Sequence, residues 1–87
     1  IAGILDGELV RAVVDRTFVT QDGVRWIIDY KSGYAAGDNV EQFIAGERDR
    51  YTEQLERYWR LFTQIEPRVI KTALYLPLHD RLEKVAF

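Results

Sequence analysis

The hydrophobic period of this chain changes twice, and that change limits the folds open to it. Up to Tyr30 the apolar residues lie in short stretches rich in Val, Ile and Thr, as strands require. From Glu47 to Ile65 the period is helical: Tyr51, Gln54, Leu55, Tyr58, Leu61, Phe62 and Ile65 fall on one stripe. Arg50, Glu53, Glu56, Arg57 and Arg60 occupy the opposite, solvated face, with signs spaced for weak mutual support. Pro67 ends the helical stretch, because its ring cannot continue a helix. Val69 to Leu76 (Val-Ile-Lys-Thr-Ala-Leu-Tyr-Leu) then reads as a strand again. A strand, helix, strand succession requires a parallel return with a right-handed crossover. The expected class is α/β: a small mixed sheet with the long helix packed on one face.

The rest of the chain fills in around that unit. Ile1 to Leu5 is apolar with a glycine inside and reads as the end of an element that starts upstream; Asp6-Gly7 is a turn signal. Glu8 to Thr20 is expected to form one long strand. Val10, Ala12, Val14 and Phe18 would share one face, and Leu9, Val13, Val19 and Asp15 the other, so both faces should be at least partly covered. Gln21-Asp22-Gly23 predicts a hairpin into Val24 to Ser32, with glycine where a positive φ is wanted. Ser32 to Gly46, with Gly33, Gly37 and Gly46, is read as a long loop with a short helical piece near Glu41 to Ile44. Pro77 to Arg81 predicts a turn, and Glu83 to Phe87 the start of a fourth strand.

At 87 residues the chain is one small domain or a piece of a larger protein, and its start at Ile1 rather than Met favours the piece. There is no cysteine, so disulfides and thiolate metal sites are excluded, which fits a reducing interior. No apolar run approaches the roughly 20 residues needed to cross a bilayer, so no membrane association is expected. A net charge of −2 argues against a generally basic nucleic-acid coat. It leaves room for a local path to phosphate, since a bound metal handles phosphate charge itself.

The polar residues that interrupt these apolar elements are Asp15, Asp29, Lys31 and Gln54. Burying a carboxylate or an ammonium is costly unless it is paired or bound to a metal. Asp29 and Lys31 lie two apart, so their side chains emerge on one face of a strand. Alone, that spacing is as consistent with a structural ion pair as with a site. Two aspartates from adjacent strands can also converge on one hard divalent cation, which prefers oxygen, and the carbonyl of Tyr30 offers a further oxygen. Such an ion would polarise a phosphodiester and acidify a bound water, with Lys31 orienting that water or stabilising charge on phosphorus.

Ala12-Val-Val-Asp15, Ile27-Ile-Asp29-Tyr-Lys31 and Gln54-Leu-Glu-Arg-Tyr58 together resemble the RecB-like nucleases of the PD-(D/E)xK superfamily. The likeness is to the nuclease domain at the C-terminal end of bacterial helicase-nucleases that process double-strand breaks. It runs from about Glu8 to Leu76 and rests on the order of the three motifs rather than on Asp-x-Lys alone. The resemblance implies a restriction-endonuclease-like core, truncated at its N-terminal side, and a Mg²⁺-dependent deoxyribonuclease, more an exonuclease than an endonuclease. By the same resemblance Asp15 and Asp29 are ligands to Mg²⁺ or Mn²⁺, Lys31 is the catalytic lysine, and Gln54 and Tyr58 line the site. The implied partners are DNA, a helicase domain in the same chain and a second helicase-nuclease subunit, in the bacterial cytoplasm. Two features depart from the family pattern. Ala12 stands where glycine is usual, and no His or Glu on a preceding helix is present before Glu8. The missing helix should leave the metal site open on one side and apolar surface uncovered, so weak metal binding, poor cleavage and self-association are expected of these 87 residues.

Two other functions fit the same residues: a non-catalytic DNA-end-binding or scaffold module, and a stand-alone repair or RNA nuclease of the superfamily. Gln54 and Tyr58 also fit an ordinary helix face with one satisfied amide. Tyr51, Trp26 and Trp59 read as packing residues. His79, the only histidine, lies in a turn away from the motifs. Tyr34 could meet a DNA strand, and Arg48 and Arg50 could meet phosphate or simply be solvated.

Overall fold

Two left-handed turns set the strand pairing. Asp6 and Gly7 have φ of 52° and 81°, the paired positive values of a two-residue hairpin turn. They fold β1 (Ala2–Leu5) onto β2 (Glu8–Arg11) as an antiparallel pair. Gly23, at φ 84°, closes β3 (Arg16–Val19) onto β4 (Arg25–Tyr30), also antiparallel. The structure is a computed structural model that describes residues 1–35 and 37–87, Asp38 through its backbone alone. After β4 the long helix α1 (Val40–Ile65) leads to β5 (Ile70–Leu76), which pairs parallel to β4. A 3₁₀ turn at Pro77–His79 and a left-handed Asp80 then bring β6 (Arg81–Val85) back antiparallel to β5. The result is an α/β fold: a four-stranded mixed sheet in the order β3-β4-β5-β6, plus the separate β1-β2 hairpin.

One face of the four-stranded sheet packs against α1. Ile27, Leu74 and Leu76 from the strands and Leu55 and Leu61 from the helix are fully buried in one cluster with Tyr58, Phe62, Ile70 and Val85. Thr72, a polar member of that layer, donates its hydroxyl to the Val85 carbonyl at 2.6 Å, so its burial leaves no donor unmet. Arg25, at the head of β4, grips Glu66 just past the helix with a two-pronged contact of 2.6 and 3.1 Å. The same helix holds the small hairpin: Arg60 is bidentate to Asp6, and the Gln64 amide donates to the Ile4 carbonyl at 2.7 Å. The other sheet face carries Phe18, Trp26, Tyr30 and Leu82, and no described element covers it. There Lys71 and Lys84 both lie over the Trp26 ring, at 5.8 and 5.7 Å.

Several expectations are corrected. The single strand from Glu8 to Thr20 is two strands in two sheets, broken at residues 12–15. Leu9 and Val13 are therefore exposed, at 64% and 90%, instead of sharing a covered face, and Phe18 turns to the open side of the sheet. The helix begins at Val40 rather than Glu47, absorbing the second half of the expected loop. Gly33, Gly37 and Gly46 suggested a break, but a Cβ at Gly46 would meet nothing, and Val40, Phe43 and Ile44 extend the apolar stripe into the core. Ile65 closes the helix exposed, not on the packed face. The last strand starts at Arg81, two residues before the expected Glu83, directly after the left-handed Asp80.

Candidate active site

The break between β2 and β3 is what creates the polar corner. Ala12 is tied back to the chain start, its N–H donating to the Ile1 carbonyl at 2.9 Å, and the Val13 carbonyl accepts the Tyr58 hydroxyl at 3.3 Å. In the register that pairs Arg16 with Ile28, a continued ladder would set Val14 opposite Tyr30. Instead the Asp15 carboxylate accepts the Tyr30 N–H at 2.9 Å. A side chain thus replaces the backbone acceptor and holds a carboxylate at the end of β4.

Asp29 meets it from β4. It is 3% exposed and faces the helix. Its Oδ2 accepts the Gln54 amide at 2.8 Å and pairs with the Lys31 ammonium at 3.2 Å. The Gln54 amide also donates to the Tyr58 hydroxyl at 2.8 Å. Tyr58 in turn donates to Val13, so one hydrogen-bonded chain links the broken strand, the helix and β4. Gln54 and Tyr58 stand one turn apart on α1, which is why a single helix face reaches both partners. The five predicted site residues, Asp15, Asp29, Lys31, Gln54 and Tyr58, are brought together. The Lys31 N–H donates to the Tyr75 carbonyl on β5 at 2.9 Å. Because that peptide is trans, the Tyr30 carbonyl points the opposite way, towards the Asp15 side.

The two carboxyls do not ionise independently. Burial is the first cause that pushes Asp29 up to about 6; the neighbouring Asp15 adds to it, and Lys31 opposes it. Asp15, which is exposed, is held below the ordinary carboxylate range, chiefly by hydrogen bonding with Asp29 and then by the Tyr30 N–H. The pair therefore takes up a first proton, on Asp29, as the pH falls through about 6, well above the ordinary carboxylate range. Burial, and next the Asp29 charge, raises the Tyr58 phenol, which keeps it a neutral donor.

This donor set fits a divalent cation. Such an ion would compete with the proton that Asp29 takes up below about pH 6 and would relieve the repulsion between the two carboxylates. No group of three His, Cys, Asp or Glu side chains converges among the described residues. Asp15, Asp29 and the Tyr30 carbonyl are therefore the protein oxygens on offer, and Mg²⁺ commonly fills the remainder of its shell with water and phosphate oxygens.

Tyr51 sits over the same corner, with the Lys31 Nζ 3.8 Å from its ring centroid. The sequence predicts packing alone for Tyr51, yet it lies one turn before Gln54 on the stripe that carries the site, and that position is its signal. Nothing in the sequence marked the Val13 carbonyl as an anchor. The remaining candidates lie elsewhere. His79 accepts the Ala35 N–H at 3.3 Å and stacks on Tyr34, Arg48 and Arg50 reach Glu83 and Glu47, and Trp59 packs near Phe87. Trp26 lies on the open sheet face, half-buried under two lysines. Comparison with family models, with curated proteins and with solved structures found no match.

Proposed function

We propose that this chain is a metal-dependent deoxyribonuclease module with a RecB-like, restriction-endonuclease-like core, hydrolysing phosphodiester bonds beside a helicase motor in recombinational DNA repair. The observation that carries the proposal is the Asp15 carboxylate, held at the end of β4 by the Tyr30 N–H, beside the buried Asp29, whose Oδ2 lies 3.2 Å from the Lys31 ammonium. A structural ion pair needs one carboxylate for one ammonium. Here a second carboxyl is held against the first at an energetic cost, which a cation site explains and simple packing does not.

Asp15, Asp29 and the Tyr30 carbonyl would hold Mg²⁺ or Mn²⁺, which when bound supplies a Lewis acid for the phosphate and acidifies a water. Lys31 donates its N–H groups to the attacking water or to the phosphoryl oxygen that gains charge. Gln54 fixes the Asp29 carboxylate from the helix side, and Tyr58 fixes the broken strand that carries Asp15. Neither needs to change protonation for that work.

The test is cleavage of end-labelled single- and double-stranded DNA in Mg²⁺ by the wild-type chain and by Asp29→Ala. Slow wild-type cleavage that EDTA stops, absent in the variant while it still unfolds cooperatively, is the expected result. Wild-type rates in Asp29→Ala overturn the assignment. DNA-end binding without any cleavage by either protein would point to the scaffold function instead.

A further inference from the structure

The Lys31 ammonium has two partners among the described residues, and a bound cation competes for one of them. The first is Asp29 Oδ2, at 3.2 Å. The second is the face of the Tyr51 ring, 3.8 Å from Nζ. A divalent ion on Asp15 and Asp29 draws on the same carboxylate charge that holds the ammonium. The ring quadrupole offers a cation attraction that metal coordination leaves untouched. Lysine is a point charge on a flexible four-carbon stem, so losing one of two restraints frees it to wander.

We infer that Tyr51 is the positioning residue for Lys31, and that its ring face keeps the ammonium beside the reacting phosphate when a cation occupies the two aspartates. The hydroxyl has no part in this: it makes no side-chain hydrogen bond among the described residues. Tyr51 is half-buried against the core and stands on the Gln54–Tyr58 stripe, so its ring is held by the helix and not by Lys31 itself. The kinetic half of the inference rests on the nuclease proposal; the spectroscopic half does not.

The ring above Lys31 gives the spectroscopic test. In wild type and in Tyr51→Phe, the Lys31 ε-methylene protons should be displaced upfield by ring current and stay so when Mg²⁺ is added. In Tyr51→Leu they should sit near the free-lysine position. Kinetically, Tyr51→Phe should cleave at close to the wild-type rate, and Tyr51→Leu should lose about tenfold in kcat with little change in KM. In a Lys31→Ala background the Tyr51→Leu change should cost nothing further, an outcome that a general loss of packing would not produce. Ring-shifted ε-protons that return to the free position on adding Mg²⁺ overturn the inference, as does an unchanged kcat in Tyr51→Leu. Should the wild type not cleave DNA, the nuclease proposal fails and the spectra alone decide the role of Tyr51.

Discussion

Asp29 is the residue on which the site turns, because it is buried next to a second carboxyl and still touches Lys31. Its raised pKa has a definite sign in stability. A carboxyl pushed up to about 6 from 3.8 binds its proton more tightly when folded. Its contribution is therefore fully present below about pH 4 and is lost as the pH rises through about 6. Asp29→Asn keeps the shape, accepts from Gln54 and can donate to Asp15 without titrating. In metal-free buffer at pH 7.5 the variant should melt higher than wild type by about 5 °C, on the order of 1 kcal/mol. That difference should shrink on acidification from pH 6 to pH 4. A pH-independent difference in melting temperature would show that the carboxyl pair carries no strain. Lys31→Ala should separate the roles: metal affinity near wild type, with cleavage lower by on the order of a hundredfold. A variant that lost metal affinity and kept its rate would reverse that assignment.

At the scale of elements, α1 does most of the placing, since it touches the hairpin, the strand break and the end of β4. Leu55 is fully buried beneath it, one position after Gln54, so Leu55→Ala should cost about 3 kcal/mol by denaturant unfolding. A loss under 1 kcal/mol would mean that the helix is not seated as described. Gly23→Ala tests the β3–β4 hairpin. An Ala Cβ there meets nothing, yet at φ 84° the substitution should still cost about 1 kcal/mol through backbone conformation alone. How far the sequence reveals these elements follows from the range of the forces involved. The hairpin turn and the helix from Tyr51 onward are written in local φ preference and local period. So are Asp29 and Lys31 on one strand face, and Gln54 and Tyr58 on one helix face. The break at residues 12–15 is not local. It is made by the Tyr58 hydroxyl, forty-five residues away, and by Asp15 taking the Tyr30 N–H in place of a ladder bond. Without it the valine-rich run reads as continuous. The helix start at Val40 was hidden because glycine is weighed against a helix by its conformational freedom, and burial of Ile44 and Phe43 outweighs that.

Across the whole molecule, three distant segments meet at one corner, so the site exists only when the hairpin, the sheet and the helix are all docked. The outer side of the hairpin is apolar where Ile4, Leu9 and Val13 are more than half exposed, and that is surface of the kind through which copies associate. The apparent mass by light scattering should rise with concentration, and Leu9→Lys should lower it. A monomer at every concentration would contradict this. No helix among the described residues is long and apolar enough to cross a membrane. The central claim, that Asp15 and Asp29 form a site for which a divalent cation and a proton compete, is tested most directly by Mn²⁺ titration followed by electron paramagnetic resonance at pH 7.5. One Mn²⁺ should bind per wild-type chain, weaken at pH 5 where the carboxyl pair is protonated, and fail to bind Asp29→Asn. Equal binding by the two proteins, or a wild-type affinity that does not change between pH 7.5 and pH 5, would contradict the claim.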